Sequence, residues 1–174
     1  WPRAGRNPAI VVIDAGLSTQ TRTADGHTRL DLMRDDAIQW LSATHGQAGL
    51  ILAGDQPRVL AGPDTPAELA ARLLRDAEPT SSTAASADAL RLAASILPGD
   101  GEILWITDAS GTPSGLPESI ASRITRRAFA IGTPDAQIVA VAYLDGDEPS
   151  RGQLLVRIEG SSRSEEHTSE LQSH

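Results

Sequence analysis

The stretch "AIVVID", residues 9–14, limits the fold of this chain more than any other: an apolar run with no alternating polar residue, ending abruptly on an aspartate. A strand with one wet face alternates polar and apolar side chains. A run this short, β-branched and unrelieved suits a central strand covered on both faces, the habit of parallel sheets. "AGLILAGD" at 48–55 and "EILWITD" at 102–108 repeat the pattern, and the latter again ends on an aspartate, Asp108.

Helical patterns separate these runs. "TRLDLMRDDAIQWLSAT" spaces Leu30, Met33, Ala37 and Leu41 along one face, with Thr28 and Asp31 placed as a capping box. In "DTPAELAARLLRDAEP" the reading is Thr65 as N-cap, Pro66 at the first helical position, Glu68 closing a capping box, and an inner face of Leu69, Leu73 and Ala77. "STAASADALRLAASILPGD" presents Leu90, Ala93 and Leu97 and stops at Pro98-Gly99. "QPRVLAG" suits a hairpin partner at a sheet edge, "LPESIASRIT" a short helix and "RRAFAIG" a last strand. Strand and helix alternating over 9–132 predicts an α/β fold: a doubly wound, mostly parallel sheet flanked by helices, Rossmann-like in plan.

From 134 the grammar changes. "AQIVAVAYL" and "QLLVRIEG" flank the acidic turn "DGDEPSRG", with no helix pattern, and residues 134–162 read as the start of a second, all-β domain that is truncated. The α/β domain is then 8–133, behind a linker of residues 1–7 that opens without Met, as an internal fragment would. "RSEEHTSELQSH", 163–174, resembles the translation of a common sequencing adapter and is expected to be unstructured.

Composition removes several functions. With no Cys there are no thiolate sites or disulfides, and all 15 basic residues are Arg, so lysine chemistry is absent. A net charge of -8 opposes nucleic-acid binding, which needs clustered cations. No apolar run reaches the ~20 residues of a membrane span. Spacing removes others: "GLSTQ" lacks the second glycine of a nucleophile elbow, no phosphate-binding glycine motif follows any strand, and Gly16 stands where a haloacid-dehalogenase-like phosphatase needs its second aspartate.

What remains is carboxylate and hydroxyl groups on loops at strand ends, the donor chemistry of a hard cation such as Mg²⁺. The ordered motifs "VVIDAGLST", "RLDLMRDDAIQWL", "STAASADALRLAASIL" and "ILWITDASG" together resemble a von Willebrand factor A (VWA) domain over about residues 8–133. That resemblance implies a metal-ion-dependent adhesion site at which Mg²⁺ is completed by an acidic group of a protein partner, in a domain that binds and does not catalyse. Carried over, Asp14 matches the first Asp of the motif, Ser18 its second Ser, Thr83 its Thr and Asp108 its distal Asp. Gly16 replaces the first Ser, the Thr position falls by register on Ala84, one residue beyond Thr83, and Ala109 replaces the last Gly. The motif is therefore degenerate.

The "TRLDLMRDDA" helix and the all-β segment are similar to bacterial membrane proteins of the aerotolerance (Bat) type, which implies a membrane-anchored parent in the cell envelope and an immunoglobulin-like region after the VWA domain. Two other readings stand beside it: a divalent-metal-dependent hydrolase or phosphotransferase using Asp14 beside Asp108, and a metal-free structural spacer.

Overall fold

The structure, a computed structural model, describes residues 8–23, 25–44, 46–80, 84–99, 101–109, 111, 113–129, 136–145 and 152–160. The linker 1–7, Thr83 and the adapter-like segment 163–174 lie outside the described residues.

The three apolar runs form β1 (Ala9–Asp14), β2 (Ala48–Ala53) and β4 (Glu102–Thr107). With β3 (Pro57–Ala61) and β5 (Ile124–Ala128) they make a sheet of order β3-β2-β1-β4-β5. Every pairing is parallel except the β2–β3 hairpin. Pro57 and exposed Arg58 sit on that hairpin's outer strand, where a missing N–H and a charge are tolerated. β5 begins two residues before the "RRAFAIG" stretch read as a strand, because Ile124 pairs with Ile103.

Every residue of β1 is buried, and its side chains alternate between two cores. Val11 and Ile13 pack with α1 (Arg29–Ala43) and α2 (Ala67–Arg75), through Leu30, Met33, Ala37, Leu41 and Leu74. Ile10 and Val12 pack with α3 (Ser86–Ile96), through Ala89, Leu90 and Ala93, together with Trp105 of β4. A short helix, α4 (Glu118–Ala121), precedes β5 and brings Ile120 onto the second core. This two-sided burial is the doubly wound α/β arrangement that the unrelieved apolar runs require.

The start of α1 is as the sequence indicates. The Thr28 hydroxyl accepts from the Asp31 N–H at 3.1 Å, and the Asp31 carboxylate accepts from the Thr28 N–H at 2.9 Å. Hydrogen bonds from Thr28 hold the Asp31 carboxyl below the usual carboxylate range, so this part of the cap is lost only as pH falls through that lowered value.

α2 departs from expectation in two ways. It begins at Ala67, and Thr65 makes no side-chain cap. The backbone of Thr65 is held instead against β2, its carbonyl accepting from the Ala48 N–H at 2.9 Å, while the Ala67 N–H finds the Gly46 carbonyl at 3.0 Å. The inner face is Ala67, Ala70, Ala71 and Leu74, and Leu69 and Leu73 are 39% and 38% exposed. Wedged between α1 and the β2–β3 hairpin, α2 approaches them through three alanines and Leu74, which turns Leu69 and Leu73 outward.

The chain divides into two compact units, 1–131 and 132–174. In the second, β6 (Ala136–Asp145) and β7 (Gly152–Gly160) form an antiparallel hairpin with one register irregularity near Ile138.

Thr28→Ala removes the hydroxyl half of the α1 cap, leaving the backbone N–H to Asp31, and is expected to cost about 1 kcal/mol. Comparison of urea midpoints at unchanged m-value measures it.

Candidate functional site

Strand order reverses between β1 and β4, since β2 and β3 lie to one side and β5 to the other. In open α/β sheets the crevice beyond the carboxyl ends at such a point is where ligands meet the protein. Asp14 ends β1 and Asp108 follows β4, so residues far apart in sequence meet at this crevice.

Asp14 is only 2% exposed. Its Oδ1 accepts from the Ser86 hydroxyl at 2.8 Å and from the Trp105 indole N–H at 3.3 Å, and the Thr107 hydroxyl also hydrogen-bonds the carboxylate. The direction follows from strand alternation: Asp14 shares the side of β1 used by Ile10 and Val12, the side covered by α3 and Trp105. Burial pushes the Asp14 carboxyl above the usual carboxylate range against the pull of the Thr107, Ser86 and Trp105 hydrogen bonds, and the nearby charge of Asp108 pushes the same way.

Asp108 has a different partner. Arg29, at the first position of α1 and 2% exposed, donates from Nη1 to Asp108 Oδ2 at 3.5 Å, and the Asp108 side chain is itself 8% exposed. The Thr107 hydroxyl accepts from the Ala109 N–H at 2.9 Å, which fixes the turn carrying Asp108.

Around these carboxylates the loops fit closely. The Thr80 N–H and hydroxyl both donate to the Ala15 carbonyl, at 2.8 and 3.1 Å, and Gln20 Nε2 donates to the Thr80 carbonyl at 2.9 Å. A Cβ on Gly54 would meet Thr80 Cγ2 at 2.4 Å, so glycine is needed for this close approach. Residues 17–20 form a single 3-10 turn in which the buried Thr19 hydroxyl donates to the Gly16 carbonyl at 2.7 Å.

Of the residues singled out from sequence, Asp14 and Asp108 are brought together. Ser18 stands exposed on the 3-10 turn, and it is Ser86 that gives Asp14 its hydroxyl. Ser86, Trp105, Thr107 and Arg29 were not anticipated. Arg29 alone left a sequence signal: a cation in the first turn of a helix opposes the macrodipole, which favours acids there.

Among the described residues the donor set does not fit a tightly held Mg²⁺. That ion demands a near-complete octahedron of oxygens. Gly16 offers no side-chain oxygen, Oδ1 of Asp14 already accepts two hydrogen bonds, and Asp108 faces a guanidinium.

An open, mostly parallel sheet whose strand order reverses at β1 and β4 defines the class, a doubly wound α/β domain. The family model of the von Willebrand factor type A domain matches residues 9–111, and the chain belongs to that family. Among curated proteins none matches the sequence. Solved structures of similar fold include an aerotolerance-related membrane protein from Bacteroides fragilis carrying multiple mutations to serine, 19% identical, with a TM-score of 0.60 over 85% of this chain and 79% of that one. BatB from Bacteroides thetaiotaomicron is also 19% identical, with a TM-score of 0.59 over 85% and 78% of the two chains. Proximal thread matrix protein 1 of the mussel byssus is more distant, 15% identical with a TM-score of 0.51 over 70% and 37%.

Two substitutions separate the charge of Asp14 from its hydrogen bonds. Asp14→Ala leaves the buried Trp105 N–H without its acceptor and is expected to cost about 1–3 kcal/mol. Asp14→Asn keeps an acceptor and removes the buried charge. Because the folded carboxyl titrates above its ordinary value of 3.8, the native state binds the proton more tightly, and the wild-type chain loses stability as pH rises from about 4 through the raised value. Asp14→Asn should therefore gain on wild type between pH 4 and pH 7 in thermal melts; a constant difference across that window would contradict the raised titration.

Proposed function

We propose that this domain is a non-enzymatic protein-interaction module of a larger, membrane-anchored bacterial protein, and that its metal-ion-dependent adhesion site is degenerate. The observation that carries the reading is the state of Asp14: a carboxylate this buried, turned inward onto Ser86 and Trp105, is not presented to a substrate as nucleophile or base. Membership of the VWA family supports binding as the role.

The likeness to BatB and the aerotolerance-related membrane protein is one of fold, and it motivates the placement in the bacterial cell envelope. Among the described residues no helix is long and apolar enough to cross a membrane. We read residues 134–162 as the beginning of a following β domain, of which the β6–β7 hairpin is the described part.

The enzymatic alternative is tested with a panel of phosphomonoesters and phosphodiesters in Mg²⁺ and in Mn²⁺. No turnover above buffer is expected from the wild-type chain. Hydrolysis that disappears in Asp14→Asn would overturn the binding reading.

A further inference from the structure

We infer that Arg29 is the resident cation of the strand-end site: its guanidinium supplies the positive charge that pairs with Asp108, and the site stands without a divalent ion. Arg29 is among the largest fully buried side chains of the described residues. Nothing local to α1 favours it there, because the first turn of a helix is the positive end of the macrodipole. A buried guanidinium persists only beside partners that offset its desolvation, and one that Arg29 meets is the carboxylate of Asp108, itself almost wholly covered.

The location gives the pair its meaning. Asp108 and Asp14 are the two acids at the β1/β4 switch point, where a cation shared between strand ends would have to sit. A guanidinium bonded to one of them repels a divalent ion from the same space, and the two occupants exclude each other. The remaining donors agree, since Oδ1 of Asp14 is already engaged from the protein side by Ser86 and Trp105. A partner's carboxylate then finds no metal coordination position to fill, on a chain whose net charge of -8 already disfavours acidic surfaces. This inference holds whether or not the domain docks a partner.

Arg29→Met and Arg29→Lys test it in the 174-residue chain. Thermal melts are recorded in chelator, in millimolar Mg²⁺ and in millimolar Mn²⁺. The wild-type Tm should be the same in all three. Arg29→Met should melt about 10 °C lower in chelator, as expected when a buried ion pair loses one partner, and should regain part of that loss in Mn²⁺, because Asp108 is then left to accept an ion. A wild-type Tm raised by Mg²⁺ or Mn²⁺, or an Arg29→Met chain that is destabilised yet indifferent to Mn²⁺, overturns the inference. The second result would leave Arg29 as an ordinary buried ion pair. If Arg29→Met does not fold in chelator, Arg29→Lys decides: retained charge should keep it folded and blind to Mn²⁺, whereas failure to fold or a Mn²⁺-dependent rise counts against a charge-based role.

Discussion

Burying a carboxylate at the end of a central strand is the constraint around which this domain is organised. Asp14 is enclosed by α3 and β4, and an enclosed carboxylate without donors would cost several kcal/mol. Its donors arrive from separate elements: Ser86 from the first residue of α3, Trp105 and Thr107 from β4. Each must be in register for the others to reach. The same contacts satisfy the indole N–H of Trp105, the largest side chain of the α3-side core, so the polar cluster and the apolar core specify one another.

The sheet was legible because its signal is local. Runs such as "AIVVID" and "EILWIT" have one sensible environment, and their order with the intervening helices fixes the doubly wound plan and the meeting of Asp14 with Asp108. The inner face of α1 was equally readable, since Leu30, Met33, Ala37 and Leu41 are the only regular apolar row on that helix and all four are buried. α2 shows where such reading stops. Two overlapping rows are available, one rich in leucine and one in alanine, and hydrophobicity selects the first while closeness of approach selects the second. How near a helix lies to its neighbours is a tertiary property with no local trace.

The site was half legible for a related reason. A carboxylate after an apolar run announces itself, but its partner does not: Ser86 lies 72 positions from Asp14 and Trp105 lies 91. Ser18 and Thr83 were chosen by analogy with a motif, and motif spacing describes a site that holds a metal. Ser18 stands exposed on its turn and Thr83 lies outside the described residues, while the hydroxyls that meet the Asp14 carboxylate, those of Ser86 and Thr107, come from other elements. Arg29 alone left a trace, as a cation in the first turn of a helix, where the macrodipole favours acids.

Charge balance ties these observations together. A divalent ion between two aspartates neutralises both, whereas a single guanidinium neutralises one. With Arg29 paired to Asp108, Asp14 has only neutral donors, and burial together with the residual charge of Asp108 drives its carboxyl upward. Replacing a dication by Arg29 therefore keeps the loops in place while leaving one acid without a counter-charge. On this argument the raised titration of Asp14 and the burial of Arg29 are two consequences of one exchange. The exchange also explains why the fold tolerates glycine at position 16: with no ion to complete, a hydroxyl there has nothing to coordinate, and the turn needs only the Gly16 carbonyl, which Thr19 holds.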